Sequence, residues 1–565
     1  MTVSARHECP LERRIQTLLL DRGEIIIPLI ALLVYANSLW NGFTLDDHAV
    51  IINNPIFRTA DILSLFTTID TVGEGQLLPL YRPFTYLTFL LEWKLHQFNP
   101  FLIRLANISL HGVNTLLLFR MTRKLAGNDS YLPVVATILF AIHPINTEGV
   151  DFNAGGRNTM LATLFPLSTW LLHHRSTETR SLTRGIGASL LFFMGLLSKE
   201  SALMIAPFIF WQEVEAVRGK KGNVSDSVTR LFPYILVTGI YLYLRWVTLS
   251  RMGIQTSIIP GMGSTTLETL YVIDPLGTRL LHSIYIIPRY LWSILWPTAL
   301  APRHVLPEDP NLIALALFLT WGVLIAGTLW LLIKERKSIT LFGLSWCFFF
   351  WLPTSGLFII PIQIAERYLY APAIGFWIII GYLVDRTIRS FPGRTIIIVT
   401  VMGFVMLTLA AITIRRNVDW KDNLTLYTRF YEQFPDNIHA LSGLGIAFFD
   451  ANRPEYRVKA EEIFEKVLAI DPFHPKANRL LGHIKLDKGE LERAVELYSA
   501  ALQSLPTDKE AMLNRGIAYD RLGKNREAFE DYRRFLTLPG EIHHLAGGAE
   551  YAERRIRELS GEKAR

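Results

Sequence analysis

The sequence predicts an all-α protein, in which a polytopic bundle of membrane helices is followed by a soluble domain of repeated helix pairs. Two observations predict this. Half of the 565 residues (50%) are hydrophobic, and they cluster in stretches of about 20 residues, the length that a bilayer requires of a helix. From Trp420 onward the composition is that of a soluble helical domain, and glycine, alanine and aromatic residues recur at a fixed spacing.

The apolar stretches predict about eleven membrane spans. They lie at residues 24–43, 101–120, 131–145, 158–174, 185–198, 201–215, 231–249, 310–333, 339–359, 368–385 and 394–414. Lys and Arg collect in alternate connections, so the positive-inside rule places those connections and the N-terminus in the cytoplasm. The first loop, 44–100, and the chain beyond 415 are therefore predicted to share the outer side.

One apolar segment, 279–297, does not fit this alternation. If it crossed the bilayer, the basic residues at 334–337 would face outward. We therefore predict a re-entrant or interfacial helix within a long outer loop, 250–309. Trp292 and Trp296 would lie at the level of the lipid headgroups.

The charge pattern excludes some classes of function. The net charge is +7, but Lys and Arg lie in short connections between apolar stretches, which orients a membrane protein and does not form a nucleic-acid-binding patch. Cys9 and Cys347 fall in the N-terminal tail and in an apolar stretch, so no disulfide framework is expected. No cluster has metal-ligand spacing, and we predict neither a metal nor a cofactor. The charged N-terminus shows no removable signal peptide, which makes the first span the anchor.

The C-terminal domain, 416–565, contains an internal repeat. Gly482 and Gly516 are separated by the 34-residue period of the tetratricopeptide unit. In each unit a glycine is followed by an alanine and then by an aromatic residue, as in Gly445, Ala460 and Phe464; Gly482, Ala494 and Tyr498; and Gly516, Ala528 and Tyr532. We predict repeats at about 438–472, 475–508 and 509–542, with a capping helix to 560. Such stacked helix pairs form a concave face that is suited to binding peptides.

Polar residues collect in the predicted outer connections of the membrane domain. They are Asp46, Asp47 and Arg82 in the first loop, His143, Glu148 and Arg157 in the second, Lys199 in the turn 198–200, and Glu366 and Arg367 in 361–367. Charges at a membrane face are costly, so their recurrence there predicts a shared polar cavity. The alternative is that each charge caps a helix or reaches to water. In that case the acidic pair only marks the end of the first span.

Asn107, His111 and Asn114 recur at a spacing that places them on one face of the second span. That face is predicted to look into the bundle. A role in helix packing and a role in substrate binding are equally compatible with it.

Six motifs occur in an order that resembles one family. They are LDDHAVIINNP, YRPFTYLTF, HPINTEGVDFNAGGRN, SKES, AERYLYAPAIGF and RNVDWKDNLTLY, which leads into the repeats. This order resembles the transmembrane and tetratricopeptide repeat-containing protein O-mannosyltransferases, which are C-type (GT-C) membrane glycosyltransferases. The chain departs from the family at Asn158, where an acid is expected after Gly156-Arg157. Its repeat array is also short, which suggests a bacterial relative.

The resemblance implies that 1–415 is a transmembrane glycosyltransferase domain and that the acidic pair, Asp46 and Asp47, is catalytic. A base must take the proton of the attacked hydroxyl, and we expect Asp46 to do so while Asp47 orients it or the acceptor. Which aspartate is the base stays open. The departing lipid phosphate requires cations. The candidates on the predicted outer side are Arg157, Lys199, Arg303 and Arg367.

The function implied is inverting transfer of a sugar, mannose by resemblance, from a polyprenyl-phosphate carrier to Ser/Thr hydroxyls of exported proteins that are bound by the repeats. The location implied is a bacterial inner membrane with the site in the periplasm, or the endoplasmic reticulum membrane in a eukaryote. Two alternatives remain open. One is transfer to a lipid or glycan, and the other is a non-catalytic membrane scaffold whose repeats recruit partners.

Overall fold

In the computed structural model, the described residues are 20–59, 62–67, 80–127, 129–179, 181–219, 222–251, 276–302, 304, 321–322, 326–327, 339–358, 362, 364–538 and 546–560. Among them the regular structure is helical, and no strand occurs. Cys9, Arg303 and all but four residues of the predicted span 310–333 lie outside the described residues.

The helices of the N-terminal part are α1 (Gly23–Tyr35), α2 (Ile56–Thr59), α3 (Pro83–His96), α4 (Pro100–Ala126), α5 (Leu132–Ile142), α6 (Thr147–Asp151), α7 (Asn153–Thr179), α8 (Leu182–Leu196), α9 (Ile205–Arg218), α10 (Val224–Arg251), α11 (Leu276–Leu295), α12 (Ile339–Trp351), α13 (Pro372–Ser390) and α14 (Thr395–Asp419). Short 3-10 turns include Ala36–Trp40, Pro144–Asn146, Glu200–Met204 and Glu366–Leu369.

The C-terminal part contains an entry helix, three helix pairs and a last helix. They are α15 (Asn423–Gln433), α16 (Ile438–Asp450), α17 (Pro454–Ile470), α18 (Pro475–Asp487), α19 (Leu491–Ser504), α20 (Lys509–Arg521), α21 (Asn525–Thr537) and α22 (Ala546–Ser560). The chain divides into two compact units. The first holds the described residues up to Asp47 and those from Pro55 to Lys421, and the second holds Asp422–Arg565 with His48–Asn54.

The first unit is a helix bundle in which α4 packs against α1, α5 and α7. Its core contains a buried aromatic cluster where Phe208 of α9 lies 5.1 Å from Phe342 and 5.2 Å from Trp346 of α12, measured between ring centroids. Helices α12 and α13 approach each other closely at two glycines. A Cβ on Gly375 would lie 2.2 Å from the carbonyl oxygen of Gly343, so a side chain at that position would push the helices apart.

Four helices among the described residues are long and apolar enough to cross a membrane: Gly23–Trp40, Pro100–Ala126, Val224–Arg251 and Pro392–Asp419. Shorter apolar helices occur at Leu132–Ile142, Leu182–Leu196 and Ile339–Thr354. The eleven predicted spans are therefore not shown as such. Helix α11, which covers most of 279–297, is not one of the four, and whether it crosses a bilayer stays a prediction.

The second predicted outer connection is more ordered than expected. Residues 144–151 form a 3-10 turn and α6, and α7 begins at Asn153, five residues before the predicted start of the span. Close packing explains the early start. A Cβ on Gly156 would lie 2.3 Å from the carbonyl oxygen of Gly149, so α6 and α7 touch through their glycines. Arg157 is consequently a helical residue.

The second unit is held together by the aromatic residues of the repeats. Phe464, Tyr498 and Tyr532 are fully buried, and each faces the glycine of its own repeat. A Cβ on Gly482, for example, would lie 2.8 Å from the ring of Tyr498. The glycines therefore recur in the repeats because those positions must be small for the two helices of each pair to pack.

Gly482→Ala is expected to destabilise its helix pair by about 1–3 kcal/mol, because the new methyl group meets an enclosed ring. Hydrogen exchange in the intact protein should become faster for the amides of α18. Gly547→Ala is the control, since nothing lies within 4 Å of a Cβ at that position. Unchanged exchange in α18 of the Gly482 variant would contradict this packing.

Candidate active site

The acidic pair of the first loop divides into one buried and one exposed side chain. Asp47 is fully buried, and both of its carboxylate oxygens accept hydrogen bonds. Oδ1 accepts from the N–H of Ala154 at 2.8 Å. Oδ2 accepts from the N–H of Thr44 at 3.1 Å and from Nδ2 of Asn153 at 2.8 Å. Because Asn153 and Ala154 open α7, the carboxylate lies at the positive end of that helix.

The environment of Asp47 acts on its pKa in two directions. Burial raises the pKa of Asp47, whereas the N–H groups of Ala154 and Thr44, the charge of Arg104 and the Asn153 amide lower it. All of these partners are donors or cations, so they match an ionised carboxylate. Since both oxygens are already engaged, Asp47 is placed to hold the loop and not to receive a substrate proton.

Asp46, next to it, is exposed, and its side chain forms no hydrogen bond with any residue that the structure describes. It lies in a turn after Leu45, whose φ of 52° is uncommon for leucine. Asp46 interacts electrostatically with Arg367, whose pKa it helps to raise. The neighbouring aspartates therefore differ in availability, and Asp46 is the one that can meet a ligand.

Arg104 of α4, which the sequence reasoning missed, organises the surroundings of this loop. It is 1% exposed. Its guanidinium donates to the carbonyl oxygens of Asn41 at 2.9 Å, Asp151 at 2.8 Å and Trp420 at 3.3 Å, and also to that of Gly42. Arg104 thus ties together the end of the first span, α6 and the end of α14. The signal in the sequence was a lone arginine on the same helical face as Asn107.

A second group of charges begins with Arg367 and Glu148. The guanidinium of Arg367 forms an ion pair with Glu148, and its backbone N–H donates to the same carboxylate at 2.9 Å. The guanidinium also lies over the rings of Phe152 and Tyr368, at 5.4 and 5.1 Å. Burial raises the pKa of Glu148, Arg367 lowers it, and the nearby Glu366 raises it further.

Lys199 lies beside this pair with no acidic partner. Its ammonium donates to Oγ1 of Thr159 at 2.8 Å and lies 5.5 Å from the ring of Tyr368. No carboxylate oxygen of a described residue lies within 4 Å of it. Burial lowers the pKa of Lys199 well below its usual value, and the charges of Arg82 and Arg367 lower it further. Binding an anion would stabilise this half-buried cation.

Arg82 is held by Glu200 across the same region, with Nη2 3.0 Å from the carboxylate. Although burial raises the pKa of Glu200, the charge and hydrogen bonds of Arg82 keep it below its usual value. Asp46, Arg82, Glu148, Lys199 and Arg367 are thus linked by electrostatic contacts. The structure brings together these five of the predicted site residues.

The other predicted site residues have different surroundings. Arg157 donates to Glu92 at 2.9 Å and to Asn107, and it lies over the ring of Phe89. These partners belong to α3 and α4, so the guanidinium is committed to helix packing. Glu366 accepts from Arg416 at 2.6 Å and lies 3.5 Å from His304. Arg303 lies outside the described residues.

His143 is also used internally. Its Nδ1 accepts from the N–H of Ile145 at 3.1 Å, and its Nε2 donates to the carbonyl oxygen of Ile294 at 2.9 Å. Because Nδ1 accepts a hydrogen bond, only Nε2 carries a proton, and the imidazole is neutral. It therefore offers no positive charge to a phosphate.

The polar face of α4 serves packing in this structure. Asn107 donates to Asn153 at 3.1 Å, and Asn114 donates to the carbonyl oxygen of Met160 at 3.0 Å. His111 contacts Tyr370 and the carbonyl oxygen of Ala141. The Asn107 bond supports the same α7 residue that donates to Asp47. In the described part of the chain, no group of three His, Cys, Asp or Glu side chains could hold a metal ion.

Asp47→Ala is expected to lower the thermal midpoint of the intact protein, because it leaves buried donors unpaired at a cost of about 1–3 kcal/mol. Asp46→Ala is the control and should melt close to the wild type, since its side chain is exposed. Fluorescence-detected melting in detergent measures both. Equal midpoints for Asp47→Ala and the wild type would show that this carboxylate does not hold the loop.

Known proteins resemble the chain in both units. Residues 479–540 match the family described as tetratricopeptide repeat. Over 80% of its length the chain is 26% identical to the protein O-mannosyl-transferase F38B6.6 of Caenorhabditis elegans, covering 63% of that protein. Over 92% of its length it is 25% identical to the human protein O-mannosyl-transferase TMTC3, covering 55% of that protein. The chain therefore spans between about half and two thirds of these relatives.

The apo crystal structure of the Archaeoglobus fulgidus oligosaccharyltransferase matches the chain with a TM-score of 0.43 at 14% identity, covering 80% of this chain and 60% of that one. The sequence matches confirm the resemblance predicted from the order of the motifs. Over most of its length, this chain is similar to proteins named protein O-mannosyl-transferases.

Proposed function

We propose that this protein is a membrane glycosyltransferase that moves mannose from a polyprenyl-phosphate carrier to Ser/Thr hydroxyls of exported proteins. The observation that carries the proposal is the difference in burial and hydrogen bonding between the two aspartates of the acidic pair. Asp47 is buried and hydrogen-bonded by three donors. Asp46 is exposed and interacts electrostatically with Arg367. The similarity to protein O-mannosyl-transferases supports the reaction class.

The reaction needs a base and a stabilised leaving group. As the acceptor oxygen attacks the anomeric carbon, its proton passes to the Asp46 carboxylate. The bond between the anomeric carbon and the phosphate oxygen breaks, and its electron pair stays on the phosphate. A single displacement of this kind inverts the configuration at the sugar. Arg367, which interacts electrostatically with Asp46, and Lys199, which interacts with Arg367, are the cations proposed to stabilise the phosphate as its charge grows.

The acceptor would be bound by the C-terminal unit. Its helix pairs and its match to the tetratricopeptide repeat support a role in binding a protein segment. The four apolar helices support insertion in a membrane. The alternation of basic connections favours an outward-facing site, in the periplasm of a bacterium or the endoplasmic reticulum lumen of a eukaryote. We propose no metal or other cofactor for this transfer.

Asp46→Asn is expected to abolish sugar transfer without loss of folded protein, because it removes the base and keeps the shape of the side chain. Intact-protein mass spectrometry of secreted proteins measures the transfer, and Asp436→Asn on the exposed surface of the second unit is the control. A normal mass distribution with the well-expressed Asp46 variant would remove Asp46 from the mechanism. It would also favour the alternative hypothesis of a non-catalytic membrane scaffold.

Lys199→Gln is expected to raise the apparent KM for the lipid-linked donor by about tenfold or more, because a charged hydrogen bond contributes about 1.5–3 kcal/mol. The apparent KM for a peptide acceptor should change much less. Lys94→Gln, an exposed lysine on α3, is the matched control. An unchanged donor KM would assign Lys199 to packing against Thr159.

A further inference from the structure

Helix α10 carries a buried arginine, Arg245, on the face that is turned toward the bundle. Tyr241, Arg245, Thr248 and Leu249 are buried and recur at helical spacing on its inner face. Tyr243 and Trp246, on the opposite face, are 63% and 48% exposed. The helix is one of the four candidate spans, so the outer face is the one that meets lipid.

Arg245 is enclosed by protein but has no hydrogen-bond or ion-pair partner among the described residues. It is 5% exposed. Its guanidinium forms no hydrogen bond or ion pair with any residue that the structure describes, and its buried Nε has no acceptor. Tyr241, one turn earlier, has a buried hydroxyl in the same condition. An enclosed arginine and phenol without acceptors are costly unless a ligand supplies them.

The unpartnered groups of α10 adjoin the cluster of the candidate active site. Arg245 interacts electrostatically with Glu200, the partner of Arg82, and with Tyr241. One buried carboxylate oxygen of Glu200, Oε1, also has no donor. Lys199 also interacts electrostatically with Glu200. The Arg82–Glu200 pair therefore lies near two further cations, the half-buried Lys199 and the buried Arg245, and neither forms an ion pair with a carboxylate of the described residues.

The depth of Arg245 along the helix indicates the kind of anion. It lies six residues before the end of α10 at Arg251, which is about 9 Å along the axis. Exposed tyrosine and tryptophan are typical of the headgroup level of a bilayer, and Tyr243 and Trp246 lie within two residues of Arg245. A guanidinium facing inward at that level is suited to two hydrogen bonds with a phosphate.

We propose that Arg245, together with Lys199, binds the phosphate of a polyprenyl-phosphate lipid, and that the hydroxyl of Tyr241 donates to the same group. The two cations would approach the phosphate from α10 and from the turn before Glu200. The inference rests on the proposed function for the identity of the lipid. It adds a binding residue on a helix where none was predicted.

The test measures lipid binding without sugar transfer. Purified protein carrying Asp46→Asn, reconstituted in nanodiscs, is titrated with undecaprenyl phosphate, with undecaprenol, and with inorganic phosphate. Arg245→Gln should weaken binding of undecaprenyl phosphate about tenfold or more, whereas Arg251→Gln, an exposed arginine on the same helix, should leave it unchanged. Arg245→Lys should restore part of the affinity, and Tyr241→Phe should cause a smaller loss.

Equal affinity for undecaprenyl phosphate of the proteins with and without Arg245→Gln would overturn the inference. So would equal binding of undecaprenol and undecaprenyl phosphate by the protein that retains Arg245, or competition by inorganic phosphate as strong as by the lipid. If Arg245→Gln does not fold, Arg245→Lys and Tyr241→Phe are used in its place. Full affinity of both variants for undecaprenyl phosphate would then overturn the inference. Lipid-phosphate binding that depends on Arg245, together with no sugar transfer by the protein that retains Asp46, would uphold this site and reject the proposed function. Normal sugar transfer by the Arg245→Gln protein would reject this site and leave the proposed function standing.

Discussion

The contact between the Asp47 carboxylate and the first turn of α7 fixes the position of the acidic loop, on which the arrangement of the candidate site depends. Two backbone N–H groups and one side-chain amide converge on this fully buried carboxylate. Each hydrogen bond to a charged group contributes about 1.5–3 kcal/mol, so the loop has one strongly favoured position. Asp46 is consequently presented at a defined place, and its neighbour cannot compete for a proton.

Arg104 extends the same constraint to the rest of the first unit. Its buried guanidinium donates to carbonyl oxygens from three separate segments and also faces Asp47 and Asp151. Backbone carbonyls at the ends of helices have no partner within the helix, and a buried arginine supplies several donors at once. One side chain thereby joins the helix ends that frame the acidic loop.

The charged side chains of the first unit differ in whether they form an ion pair. Arg157 with Glu92 and Arg416 with Glu366 are ion pairs, in which burial is offset by the partner. Lys199 and Arg245 form no ion pair with a carboxylate of the described residues, although both interact electrostatically with Glu200. A buried charge in an ion pair holds helices together, whereas a desolvated charge outside one would be stabilised by a bound anion.

The sequence by itself determined the helical class, the apolar stretches and the repeat, and it predicted the acidic pair as the candidate catalytic site. These follow from local rules, since hydrophobic length, a fixed period and an unusual pair of acids are readable along the chain. Only the tertiary structure decided that Asp47 is engaged and Asp46 available, that Arg157 and His143 are hydrogen-bonded internally, that Arg104 joins helix ends, and that Arg245 is buried outside any ion pair. The reason is physical: the state of a charge depends on what surrounds it in space, and α4, α7 and α10 bring those surroundings from distant parts of the chain.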